Sequence, residues 1–134
     1  MTAKEWLMRA WRIDNEIAAL EHARQRAYER CTSITSRPKD DVVQSGGADA
    51  DAPLVTLVEL ECEIDRHIDL LVATKTEILT VIGKVDNSVF RTLLIERYLN
   101  FKTWERIAVD MNYSYRQIIY IHGSALLALA EKIA

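Results

Sequence analysis

The sequence predicts an all-α protein: a long antiparallel helical hairpin, coiled-coil-like, followed by a C-terminal three-helix module. Three observations predict it. Residues 3–30 and 54–82 contain neither Gly nor Pro, and their apolar residues recur at steps of three, four and seven. Thr2, Thr103 and Ser114 stand just ahead of helical segments, where N-caps belong. Pro38, Gly46, Gly47, Pro53 and Gly83 fall where the periodicity breaks.

The first helix opens on Thr2-Ala3-Lys4-Glu5, a capping box in which the Thr hydroxyl and the Glu carboxylate each accept from a free backbone N–H. It runs to about Arg30 on the stripe Trp6, Ala10, Ile13, Ile17, Leu20 and Ala27. The segment of about 32–52, TSITSRPKDDVVQSGGADADA, carries too little apolar surface to offset its ordering entropy, and its middle is expected to be disordered. Pro53 suits the first turn of a second long helix. That helix follows Leu57, Ile64, Ile68, Leu71, Ile78 and Ile82 out to Gly83. Two helices of matched length with one apolar stripe each most simply pair antiparallel; the alternative is a dimer built through them. Asp86-Asn87-Ser88 marks the next break, giving a hairpin over 1–86 and a separate module over 87–134.

Composition narrows the function. A chain of 134 residues suffices for one ordinary domain or two very small ones. Its hydrophobic content of 49% and charged content of 28% are those of a globular protein. No apolar run suggests a membrane span, and MTAKEWLMRAW lacks the features of a secretory signal, so a cytoplasmic protein is expected. Cys31 and Cys62 lack CxxC spacing and are expected to be buried, reduced and inert. Residues 1–86 hold 11 Lys/Arg against 16 Asp/Glu, whereas residues 87–134 hold 6 against 4. The acidic front half argues against nonspecific nucleic-acid binding by the whole chain; the mildly basic end can touch phosphates weakly. No phosphate-binding loop, nucleophile elbow or HExxH is present, so no enzyme is expected. Glu59, Glu63 and His67, beside Cys62, have no second ligand cluster to complete a metal site, and no cofactor is expected.

The C-terminal module has the logic of a helix-turn-helix. A third helix spans about Val89 to Asn100, a fourth Trp104 to Met111, and the last Tyr115 to about Lys132. Ile107, Met111, Tyr113, Ile118 and Ile121 point inward if the last two helices cross steeply, and Ala108 lets them approach. Asn112 occupies the position that needs a left-handed conformation. Tyr98 and Trp104 read as core anchors, and His122 as a packed or hydrogen-bonded histidine. Gly123 is expected to admit an earlier helix at close range.

LLIERYLNFKTWERIAVDMNYSYRQIIYIHGSALLAL resembles region 4 of bacterial sigma factors. The matching positions are Arg97-Tyr98, Ile107-Ala108, Met111, Ser114, Ile118, Ile121 and Ala125-Leu126. Behind a long helical N-terminus, the combination looks closer still to phage-encoded regulators of this type, the ArpU-type late-gene activators of Gram-positive phages and prophages. The region 4 likeness covers the C-terminal third; the phage-protein likeness extends over the whole chain. The resemblance implies binding to double-stranded DNA in transcription control within the bacterial host cell, with contact to host RNA polymerase. Carried over by position, base contacts fall to Tyr115, Arg116, Gln117, Ile119 and Tyr120. The DNA backbone falls to Arg91, Lys102, Thr103, Arg106 and Ser114. Arg116 suits guanine and Gln117 adenine, but sigma factors favour Arg, Lys or Gln where this chain has Ile119 and Tyr120.

The long helices would then serve a homodimer or the polymerase contact. A second function class is a helical adaptor or assembly protein, including a small-terminase-like DNA packaging factor, that uses the fold mainly for protein contacts. A DNA binder should gather Lys102, Arg106 and Arg116 on one positive face; an adaptor should scatter them.

Overall fold

The computed structural model describes residues 1–36 and 47–133. Among these the regular structure is helical and no strand occurs. The helices are α1 (Ala3–Leu7), α2 (Arg9–Ser36), α3 (Gly47–Ile82), α4 (Ser88–Tyr98), α5 (Trp104–Met111) and α6 (Tyr115–Ile133). No helix among the described residues is long and apolar enough to cross a membrane.

Thr2 starts α1 with both halves of its capping box formed. Met8 separates α1 from α2 in name more than in path: its N–H bonds to Lys4 C=O and its C=O accepts from Arg12. The long helices reach further than their periodicity suggests. α2 continues to Ser36 and α3 begins at Gly47, so helix takes both flanks of the segment expected to be loop. The expectation of disorder fell on the middle of the segment of about 32–52, and residues 37–46 of it lie outside the described residues. Pro53 sits inside α3 rather than in its first turn, where its missing N–H removes one helical hydrogen bond.

Packing divides the chain into two compact units: Met1–Asp14 with Leu71–Ala134, and Asn15–Leu70. In the terminal unit, α6 is packed by α1, α4 and α5. Its larger core joins Leu7, Ala10, Ile78, Ile82, Val85, Leu94, Tyr98, Ala125 and Leu129. This core spans residues 86 and 87, because Leu7 and the last turns of α3 supply apolar surface that the C-terminal helices need. A second cluster, Leu93, Ile107, Ala108 and Ile118, sits where α5 meets α6.

In the middle unit, α2 and α3 lie alongside each other, with His67 Nε2 2.9 Å from Glu16 Oε2. Of its residues only Ala27 and Ile64 are buried among those described. Ile68, expected in the buried stripe, is 42% exposed; the seam runs through His67 instead. Cys62 is exposed and Cys31 half-buried, contrary to the expectation of two buried thiols. Cys62 stands on the outward face of α3.

Candidate nucleic-acid interface

Three local devices position α6. Thr103 caps α5, its hydroxyl accepting from the Arg106 N–H at 3.2 Å. Asn112 then turns the chain at φ 60°, ψ 39°, a left-handed conformation that Asn tolerates and most side chains resist by roughly 1–2 kcal/mol. Its N–H bonds to Val109 C=O and that of Tyr113 to Ala108 C=O, so carbonyls left open at the end of α5 are satisfied. Ser114 opens α6 with a reciprocal box: its hydroxyl accepts from Gln117 N–H at 3.1 Å, and the Gln117 side chain accepts from Ser114 N–H at 2.9 Å.

The inward set assembles as the spacing predicts. Ile107 and Ile118 are fully buried, and Trp104, Met111, Tyr113 and Ile121 pack around them. Opposite them, Tyr115, Arg116, Ile119 and Tyr120 are exposed on the first turns of α6, with Tyr120 78% exposed. Tyr113, Arg116 and Tyr120 line a shallow groove of about 410 Å³. Arg116 makes no ion pair among the described residues. Gln117 is exposed but its side-chain oxygen is held in the cap. A bidentate contact to adenine needs that oxygen as well as the amide nitrogen, so the cap and the base compete for it.

The backbone-contact set is less available than its positions suggest. Lys102 Nζ is shared between Glu96 and Asp110, and Asp110 also pairs with Arg106 Nε at 3.3 Å. The hydrogen bonds to Glu96 and Asp110 raise the Lys102 ammonium above its ordinary value; the one from Lys102 lowers Asp110. Arg91 donates to Val85 C=O at 2.5 Å and Asp86 C=O at 2.9 Å, closing the turn from α3 into α4. Thr103 and Ser114 hold caps. Arg106 remains well exposed despite its carboxylate partner.

The core of the terminal unit also holds a polar element. Tyr98 hydroxyl and His122 Nε2 are 2.6 Å apart, and the Trp104 ring stands 4.4 Å from the imidazole. Arg97 covers the other aromatic neighbour, its guanidinium 4.5 Å over Trp104 while it donates to Lys102 C=O at 2.8 Å. Burial, then the Lys4 and Arg97 charges, lower the His122 pKa to about 4. Burial raises Tyr98 to about 12. A neutral imidazole therefore shares a hydrogen bond with the Tyr98 hydroxyl and ties α4 to α6. Its two members are 24 residues apart, a separation that local spacing does not reveal.

Two backbone details depart from expectation. Phe101 adopts φ 58°, a left-handed residue between α4 and α5 with nothing of glycine or asparagine in it. Its ring packs against the larger core and receives the Lys75 ammonium at 4.7 Å. Gly123 is exposed, and a Cβ there would meet nothing within 4 Å, so no helix approaches it closely.

No protein-family model, curated protein or solved structure matches the chain.

Proposed function

We propose that the chain is a DNA-binding transcriptional regulator of phage or prophage genes, reading double-stranded DNA with the first turns of α6. In this reading α5, the Asn112 turn and α6 form a helix-turn-helix, and the two long helices form a hairpin arm for self-association or for contact with host RNA polymerase. The observation that carries it is the turn itself. A left-handed Asn112 and a reciprocal Ser114–Gln117 cap set the start of α6 while leaving Tyr115, Arg116, Ile119 and Tyr120 outward. Those are the turns that a recognition helix presents to the major groove. Arg116, exposed and without an ion pair among the described residues, is the side chain best placed for a guanine edge.

A second reading is supported by a different observation. Lys102 and Arg106 are both paired with Asp110, so Arg116 does not belong to one open positive face. Val109 on α5 and Ile119 and Leu127 on α6 are exposed apolar groups. That mixture suits a helical adaptor or packaging factor whose α6 binds protein.

Binding of the full chain to promoter-length duplexes, measured at low and at higher salt, separates the two. DNA reading requires affinity that falls with salt and a loss of about 1–3 kcal/mol in Arg116→Ala. Salt-independent binding, or an Arg116→Ala chain that binds as well as wild type, removes the assignment.

A further inference from the structure

The middle unit carries two faces that the described residues of its own helices leave uncovered. The first is a concave groove between α2 and α3. Its α2 side is lined by the small residues Ala19, Ala23 and Ala27, by Arg26 and Arg30, and by one carboxylate, Glu29. The small residues admit bulky side chains, and neither arginine has an ion-pair partner among the described residues. The second is the outward face of α3. Leu54, Val58 and Ile68 are 54%, 51% and 42% exposed there, and exposed Glu61 and Asp65 stand between them. These five positions follow steps of four and three, as do Ala19, Ala23, Arg26 and Arg30 on α2. At 3.6 residues per turn, they lie on the side of α3 away from Thr56 and Leu60, which line the groove.

The two faces complement each other. One is concave, lined by small residues and carries two arginines against one glutamate; the other is convex, apolar and acidic. We infer that the groove of one copy receives the outward stripe of α3 from a second copy, with Arg26 and Arg30 meeting Glu61 and Asp65 across the contact. Because the faces lie on opposite sides of the same helix pair, the association is head-to-tail, not a self-matching two-fold dimer. Such contacts build rings or open chains. Exposed apolar groups spaced at helical steps give the contact its burial, and the opposed charges set its register.

This develops the self-association proposed for the long helices and is independent of DNA reading. Mass in the absence of DNA tests it, whereas Arg116→Ala on DNA tests the other. The experiment is sedimentation velocity of the full chain over a concentration series, with two variants at exposed or half-exposed positions. Ala23→Trp fills the groove and Val58→Arg breaks the stripe; helicity by circular dichroism confirms that each is folded. Wild type is expected to grow beyond a dimer with concentration, and each variant alone to associate about 10-fold or more weakly. Mixed in equal amounts, they should form a one-to-one dimer that grows no further, since one supplies the only intact stripe and the other the only intact groove. A second pair keeps the result clear of local damage: Arg26→Glu and Glu61→Arg should each weaken association alone and recover it when mixed. A wild-type monomer at every concentration, variants with wild-type mass, or mixtures that fail to associate would each overturn the inference.

Discussion

The terminal and middle units use the same two helices to different ends. Between Leu71 and Ile82, α3 is one wall of a core with α1, α4 and α6 around it, and Ile78 and Ile82 lose all exposure. Between Asn15 and Leu70, among the described residues, the same pair has only itself, and stripe positions such as Ile17 and Leu20 stay half-buried. A single helix partner covers one stripe; a third and fourth element are needed to close it. One stripe repeated along a helix therefore makes a core at one end and an uncovered surface at the other. Most of the buried core belongs to the first region, and the proposed partner contacts fall on the second.

The largest expected effect tests that division. Leu94→Ala, at a fully buried position, should cost about 2–5 kcal/mol in urea unfolding. Ile17→Ala, half-buried in the middle unit, should cost about 1 kcal/mol, in proportion to the smaller apolar area it covers. Equal losses would mean that the middle unit is as closely packed as the terminal one, and the contrast would fail.

The two histidines sharpen the comparison because their shifts have opposite sign. Burial lowers His122 to about 4 from an ordinary 6.5, so the folded terminal unit binds its proton less well than the unfolded chain. Its contribution is complete above pH 6.5 and is lost as pH falls toward 4, on the order of 3 kcal/mol in all. His67 is raised instead, first by its hydrogen bond to Glu63 and then by Glu16. Its contribution is present below the ordinary value and lost as pH rises through the raised one. Urea unfolding at pH 7 and pH 4.5 should show the terminal unit weakening with acid. Replacing His122 with Gln should flatten that dependence; an unchanged slope would assign it to the carboxylates.

How much of this was readable beforehand follows the range of each interaction. The caps at Thr2, Thr103 and Ser114 and the left-handed Asn112 were legible because each is settled within four residues. The inward set from Ile107 to Ile121 was legible because periodicity reports a face. What periodicity cannot report is who meets that face. Leu7 closes the larger core although the first-helix stripe was drawn through its neighbour Trp6. The partners of Lys102 and Arg91, namely Glu96, Asp110 and the Val85 and Asp86 carbonyls, were not legible because they come from another element or from a turn. At Gln117 the Ser-x-x-Gln box gives the side chain a capping role within its own turn, beside the base contact carried over by position.

The smallest expected effect concerns charge in the two regions. Around α6 the cations Lys102 and Arg106 are held by Asp110, while Arg26 and Arg30 of the middle unit have no such partner among the described residues. If α6 reads DNA, Asp110 is a restraint on the phosphate-facing side. Asp110→Asn keeps the shape of the side chain, removes its charge and leaves Arg106 open to solvent. Duplex affinity at low salt should then rise about threefold, and the salt dependence should steepen by up to about one ion per site. The gain is small because Glu96 still holds Lys102 and because exposed ion pairs bind weakly. If affinity falls instead, Asp110 orders Lys102 and Arg106 for contact, and paired cations near α6 are part of the interface after all. If it does not move while Arg116→Ala abolishes binding, the phosphates lie on another face of the terminal unit. The contrast between held and open cations would then say nothing about where DNA sits.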